Sequence, residues 1–151
     1  MRARRIARDW LSVATGGVAL GHNHPFHRLI AAWIAFNALY YSNTTANGDK
    51  AAAQEYARQP EVRRAHSRLM TTPPYRASVA TLARTPVLNM KRPSAQPVQI
   101  ASQNSAAQVI TYIYQVRCNL VHGGKTPDSR RDRALCGASA NVITALVEEL
   151  L

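Results

Sequence analysis

Residues 26–43 are apolar on nearly every side of a helix, and this constrains the fold more than any other feature. Large hydrophobic side chains occur throughout the stretch: Phe26, Leu29, Ile30, Trp33, Ile34, Phe36, Leu39 and Tyr40. A helix without a polar face is stable in water only when other elements cover it all round. The stretch therefore predicts a central helix with further helices packed around it.

Helical periodicity recurs along the rest of the chain, whereas strand patterns are weak. Prolines and glycines separate the periodic stretches, with Pro60 interrupting the third and three prolines marking a loop at 85–97. We expect one domain over residues 1–151, an all-α helical bundle of four main helices plus short helices. The predicted helices cover residues 3–14, 26–43, 49–70 with a break at Pro60, 75–84, 98–121 and 129–150, with Asp128 as the N-cap of the last.

Positive charge is the outstanding property of the composition. The formal net charge is +11 and the sequence pI is about 10.7. This favours a polyanionic partner such as nucleic acid, and a merely solvated basic surface is the alternative. The apolar run from Leu29 to Tyr41 has thirteen residues, fewer than the roughly 20 that a membrane span needs, so no membrane association is expected.

Cysteine and histidine patterns indicate neither a disulfide framework nor a metal site. The chain has two cysteines, and a reduced, cytoplasmic compartment is the default expectation for such a protein. His22, His24 and His27 lie close together, but no cysteine or carboxylate is near them in sequence. A polar loop is favoured over a metal site there, and no metal or cofactor is expected.

The segment Arg117-Cys-Asn-Leu-Val-His122, followed by Gly123-Gly124-Lys125, carries the chemistry most useful for function. Arg117 is a permanent cation, and His122 titrates near neutral pH, so the two can hold a phosphate and move a proton. Glycines favour a helix end at this point. Five helical residues separate the two side chains by ~140° and ~7.5 Å, so convergence requires a distorted helix end or a second copy of the motif. Alternatively, Arg117 lies on the bundle surface and His122 caps a carbonyl.

The Arg-x4-His string, its glycines and the helix Trp33-Ile-Ala-Phe-Asn-Ala-Leu-Tyr40 together resemble the HEPN superfamily (higher eukaryotes and prokaryotes nucleotide-binding). The likeness covers residues 26–45 and 108–150. It implies a helical bundle that forms a homodimer with both motifs in one cleft. Many members are metal-independent endoribonucleases acting as toxins or host-defence effectors under an antitoxin or other regulatory protein. Others are non-catalytic modules that bind RNA or nucleotide, or scaffold larger complexes.

The nuclease interpretation gives three residues catalytic roles. His122 acts as general acid or base, Arg117 stabilises charge on the phosphoryl oxygens, and Asn119 orients the phosphate or the histidine. RNA would yield a 2′,3′-cyclic phosphate and a 5′-hydroxyl without a metal. Cys118 stands where family nucleases often have Asn, Asp or His, which favours the non-catalytic alternative. We expect Cys118 to be a small buried hydrophobe.

A basic cluster surrounds the motif and is the predicted RNA-binding surface. Cations in the first turns of a helix oppose its dipole, which suggests a role beyond helix stability, although a solvated face is the alternative. Asn37, within the apolar helix, needs hydrogen-bond partners, either in the bundle or at the motif. The cluster comprises Lys125, Arg130, Arg131 and Arg133.

Overall fold

The structure, a computed structural model, describes residues 2–16, 24–122 and 129–151. These residues form seven α-helices and no β-strand, with a single antiparallel bridge between Val87 and Val98. The all-α prediction is confirmed. The helices are α1 (Arg2–Ala14), α2 (Pro25–Asn43), α3 (Asp49–Ala57), α4 (Pro60–Leu69), α5 (Pro73–Ala83), α6 (Ala106–Val121) and α7 (Arg130–Leu150).

Helix α2 lies at the centre of the bundle, as its apolar sequence predicts. Leu29, Trp33 and Phe36 are almost completely buried, because α1 and α7 pack along α2 and both α3 and α6 contact it. The helix begins at Pro25, and the Nδ1 atom of the preceding His24 accepts a hydrogen bond of 3.2 Å from the backbone N–H of Phe26. That bond satisfies one of the free N–H groups of the first turn.

Pro60 divides the predicted 49–70 helix into α3 and α4, as expected, and stands in the first turn of α4. Proline is tolerated there because the N–H that it lacks would have no helical partner. Gly48, just before α3, has φ +96°, a conformation that other residues rarely adopt. This turn brings Asp49, the first residue of α3, back against the end of α2.

The predicted starts of two helices and the predicted N-cap of a third were wrong. Helix α5 begins at Pro73 rather than at residue 75, because proline fits the first turn of a helix. Helix α6 begins at Ala106 rather than at residue 98, because Ser105 caps it by accepting a hydrogen bond from the N–H of Gln108. Helix α7 has Ser129 as its N-cap, and the predicted cap, Asp128, lies outside the described residues.

None of the helices in the described ranges combines the length and the apolar character needed to cross a membrane.

His66 joins α4 to α5 and to the segment before α6. Its side chain is 1% exposed, its Nδ1 lies 2.7 Å from the hydroxyl of Tyr75, and its Nε2 lies 2.8 Å from the carbonyl oxygen of Gln103. A carbonyl only accepts, so Nε2 carries the proton and Nδ1 accepts from the tyrosine. Burial lowers the pKa of His66, and the bond to Gln103 offsets part of that effect. The neutral imidazole is therefore the form that makes both hydrogen bonds.

We expect the stability of the protein to fall as pH is lowered through the ordinary histidine pKa. The pKa of His66 is lower in the folded protein than in the unfolded chain, so unfolding below about pH 6.5 is accompanied by uptake of a proton. The free energy of unfolding therefore decreases by about 1.4 kcal/mol per pH unit from roughly pH 6.5 down to the pKa of the folded protein. Urea unfolding between pH 7 and pH 5 measures this slope. His66→Gln should remove that part of the slope, whereas His122→Gln, at an exposed position, should retain it. Equal slopes in the wild type and His66→Gln would contradict the expectation.

Candidate functional site

The motif lies at the end of α6, as predicted. The helix ends at Val121, and His122 is its C-cap, with its backbone N–H bonded to the carbonyl oxygen of Cys118 at 3.0 Å. The side chain of His122 is exposed. The predicted glycine cap at Gly123 and Gly124 lies outside the described residues.

Arg117 is held on three sides by residues from three helices. Its Nη2 lies 3.1 Å from Oδ2 of Asp49, and its guanidinium carbon lies 5.8 Å and 5.6 Å from the ring centroids of Trp33 and Tyr114. Only 25% of its side chain is exposed. Stacking on aromatic faces and pairing with a carboxylate each favour one guanidinium orientation. Arg117 is thus a fixed cation rather than a flexible surface arginine.

Asp49 is itself fixed by two residues of α2. The hydroxyl of Tyr40 donates to its carboxylate, and Nδ2 of Asn37 lies 3.2 Å from its Oδ1 and 2.6 Å from the tyrosine oxygen. Burial and the bond to Asp49 raise the pKa of Tyr40, so its hydroxyl remains a donor. Asn37 therefore has a structural role: it holds Asp49, which in turn pairs with Arg117.

Arg117 remains charged although it is partly buried. Burial opposes the charged form, but the contacts with Cys118 and Asp49 outweigh it and raise the pKa of the guanidinium. Nη1 of Arg117 lies 3.7 Å from Sγ of Cys118. Cys118 is partly exposed rather than buried, so the prediction of a small core residue was wrong: the sulfur lies beside the arginine at the surface. Burial and the nearby Cys118 also raise the pKa of Tyr114, to about 12.

A cleft of about 300 Å³ opens beside the fixed arginine. Its basic groups come from three parts of the chain: Lys50 from α3, Lys91 and Arg92 from the loop after α5, and His122 from the end of α6. Tyr114 and Cys118, which contact Arg117, also line it, and the described residues that line it include no carboxylate. Such a cleft is electrostatically suited to a phosphate group.

Asn119 holds the loop that carries Lys91 and Arg92. It is 2% exposed, its Nδ2 donates to the carbonyl of Leu88 at 2.7 Å, and its Oδ1 accepts from the backbone N–H of Met90 at 3.1 Å. Nε2 of Gln115 donates to the same oxygen. Its hydrogen-bonding groups thus serve the loop at the edge of the cleft, not an exposed position where a phosphate would sit.

The described arginines of the predicted basic cluster do not line the cleft. Arg130, Arg131 and Arg133 are exposed at the start of α7, and Arg131 donates to the carbonyl of Pro86 at 3.3 Å. None of the three lines the cleft as described. Lys125 lies outside the described residues.

Five site residues escaped sequence reasoning. In the sequence, Tyr40 is one of the apolar residues of the central helix and Asp49 is the first residue of the next predicted helix, while Lys50, Lys91 and Arg92 belong to no motif. One feature of the sequence could have identified Asp49. It is the only carboxylate between Asp9 and Glu55, and the predicted helix that precedes it is apolar. An isolated acid beside such a helix favours a specific partner.

Of the three clustered histidines, His24 has a capping role, His27 belongs to α2, and His22 lies outside the described residues. His24 caps α2, and its ring packs against Phe26 and His27 with centroid separations of 4.7 and 6.2 Å. No group of three or more His, Cys, Asp or Glu residues within the described ranges is placed to hold a metal ion. Comparison of the chain with protein-family models, curated proteins and solved structures gave no match.

We expect Asp49 and Arg117 to be energetically coupled. Asp49→Asn and Arg117→Gln should each reduce the free energy of unfolding, and the double variant should lose less than the sum, with a coupling of about 1 kcal/mol for this partly buried pair. Urea unfolding of the four proteins gives that value. As a control, Arg76→Gln on α5, paired with Asp49→Asn, should show additive losses. A coupling near zero for Asp49 and Arg117 would mean that the ion pair does not hold the guanidinium.

Proposed function

We propose that this protein is a HEPN-like, metal-independent endoribonuclease that cleaves RNA by 2′-hydroxyl attack. The observation that carries the proposal is the basic cleft, in which His122 stands with Lys50, Lys91 and Arg92 next to the fixed guanidinium of Arg117. The likeness to nucleases that serve as toxins or defence effectors supports the same biological role here. It also favours restraint by an antitoxin or other regulatory protein.

The reaction needs only a proton carrier and a stabilised phosphoryl group. The 2′-hydroxyl loses its proton to a base and its oxygen bonds to phosphorus, while the bond from phosphorus to the 5′-oxygen breaks and that oxygen takes up a proton. His122 performs one of the two proton transfers, because an imidazole has a pKa near the working pH. Arg117 donates to the phosphoryl oxygens as charge accumulates on them. The products are a 2′,3′-cyclic phosphate and a 5′-hydroxyl.

The fixed arginine retains donors for a substrate. A guanidinium has five N–H groups, and the contacts with Asp49 and Cys118 engage Nη2 and Nη1 once each. Holding it in place lowers the entropic cost of binding a phosphate, since the side chain does not have to be ordered at that moment. Asn119 would act through the loop, by positioning Lys91 and Arg92, rather than on the phosphate itself.

A homodimer would complete the site. On the same helix, Arg117 and His122 point ~140° apart, so one copy does not direct both at a single phosphate. Large apolar side chains next to the cleft support a self-complementary interface: Leu88 is 44% exposed, Met90 49% and Val121 56%. A two-fold axis through this patch would bring the partner's His122 towards the cleft.

The ion pair favours a second candidate function. Because Asp49 neutralises Arg117 and Cys118 occupies the place after it, the chain can also be a non-catalytic module that binds RNA or nucleotide in the same cleft or scaffolds a larger complex. The two functions differ in one observable property, the formation of new RNA ends.

We expect His122→Ala and Arg117→Ala each to reduce RNA cleavage by ~10²-fold or more, because each removes a group that acts in the transition state. Purified protein is incubated with a labelled RNA in EDTA, and the ends of the products are identified. Arg76→Ala, an exposed change on α5, should cleave as the wild type does. Undiminished cleavage by a folded His122→Ala protein would refute the enzyme, and RNA binding without any cleavage would favour the non-catalytic module.

Light scattering at micromolar concentration should report about twice the chain mass of 16.6 kDa. Leu88→Glu should shift the protein towards the monomer, because it places a charge in the apolar patch without removing a group that lines the cleft. Ile6→Glu, an equivalent change on α1, should leave the dimer intact. A monomeric wild type that still cleaves RNA would contradict the shared site.

A further inference from the structure

The positive charge of the chain is concentrated away from the motif. Helix α1 and the segment 58–68 together carry eight arginines and no lysine, against two carboxylates, Asp9 and Glu61. These two short segments therefore hold more than half of the net charge of +11. The arginines are Arg2, Arg4, Arg5, Arg8, Arg58, Arg63, Arg64 and Arg68, and all are exposed.

The fold brings the two segments together across a cleft of about 350 Å³. Arg4 lies on one wall and both Arg64 and Arg68 lie on the other. Arg64 and Arg68 also line a neighbouring groove with Arg63 and Ser67, so the basic surface continues around α4. We call this surface, formed by Arg4, Arg63, Arg64 and Arg68, the α1–α4 arginine surface.

Two of these arginines are engaged by the protein and two are available. Arg68 pairs with Glu149 at 2.6 Å, and Arg4 donates to the carbonyl of Leu151 at 3.5 Å. Arg63 and Arg64 are exposed and form no ion pair with any residue in the described parts of the chain. They lie on successive positions of one short helix and therefore point to different sides of it. Arg64 faces the cleft together with Glu61, and both arginines line the neighbouring groove.

Tyr56 adds a polar group to the floor of the same cleft. The residue is 3% exposed, it lines the cleft, and no hydrogen bond among the described residues uses its hydroxyl. Its surroundings include Glu61 and Arg4, both on the cleft walls. The hydroxyl therefore offers a hydrogen-bond donor to an oxygen atom bound in the cleft beside Arg4.

The residue types identify the partner. Arginine donates to phosphate oxygens in a forked, two-bond geometry that lysine does not have. All the cations of the surface are arginines, and they outnumber Glu61 and Glu149, the two carboxylates that line the same cleft. Along α4, Arg64 and Arg68 are ~6 Å apart in rise, the axial length of about two phosphates in a stacked strand. A membrane surface fits less well, because insertion requires a free apolar helix face. Ile6 is the one exposed large apolar side chain of α1, whereas Trp10, Leu11 and Val13 pack against the core.

We propose that the α1–α4 arginine surface is a second nucleic-acid contact, which binds the phosphate backbone without sequence preference and is separate from the cleft at the motif. Arg130 and Glu149 mark the two ends of α7, ~28 Å apart, and the surface adjoins the Glu149 end. A strand bound there would be held while another part of it reaches the motif. The contact does not depend on cleavage.

A single-stranded DNA oligonucleotide tests this contact independently of the proposed nuclease, since it lacks the 2′-hydroxyl. Its affinity for the full chain is measured by fluorescence anisotropy over a range of salt concentrations. Arg63→Gln/Arg64→Gln should weaken binding and reduce the slope of log affinity against log salt by up to about 1.4, or ~0.7 for each lost phosphate contact. Arg76→Gln/Arg84→Gln removes the same charge from exposed positions on α5 and at its C-cap and should leave the slope unchanged.

The outcomes separate the proposal from its rivals. Equal losses in the two double variants would show that only net charge matters, and an unchanged slope in Arg63→Gln/Arg64→Gln would show a solvated face; either result overturns the second contact. Loss of binding to anionic phosphatidylserine vesicles, with DNA binding retained, would assign the surface to membranes instead and also overturn it. Thermal unfolding should confirm that both variants are folded. Absence of RNA cleavage by the wild type would refute the nuclease and leave this contact standing.

Discussion

The need to exclude α2 from water organises the whole bundle. The helix is apolar on nearly every side, and α1, α3, α6 and α7 cover most of it, leaving Ile30 and Tyr41 as its exposed large side chains. Charged side chains therefore lie mainly on the covering helices, and α2 itself contributes Arg28 near its start. Arg117 nevertheless lies over the ring of Trp33, a residue of that buried helix. Asp49, anchored by Tyr40, makes this position tolerable, because a partly buried cation requires a compensating partner.

The same arrangement ties the site to the stability of the core. Asn37 and Tyr40 belong to the buried helix, yet their polar ends emerge at the start of α3 and fix the carboxylate that holds Arg117. A phosphate that binds the guanidinium has to share it with Asp49, so affinity at this position is set by a competition between two anions. A site of this kind would bind phosphate more weakly than a free arginine does, but with a better defined geometry.

Sequence periodicity predicted the helices because burial of apolar faces is a local property that repeats every three to four residues. It predicted the order of the elements, the central position of α2 and the break at Pro60. It placed the start of α6 too early, because the cap at Ser105 depends on one side-chain hydrogen bond rather than on periodicity. The Arg117 and His122 pair was recognisable from its spacing. Its surroundings were not, since Asp49, Lys50, Lys91 and Arg92 are distant in sequence and meet only in the folded chain.

The bridge between Val87 and Val98 closes the loop between them, so a change in the loop need not alter the helices. Both ends are fixed by paired backbone hydrogen bonds of 2.9 Å, and Asn119 fixes the stretch just inside the first end. Beyond that stretch, the chain from Lys91 to Pro97 is exposed, so lengthening it would cost little, since loop-closure entropy grows only slowly with length. Lys91 and Arg92, which supply the positive charge on one wall of the cleft, therefore lie in a segment whose sequence can change without disturbing the helices. Variation in ligand preference would be expected to accumulate there first.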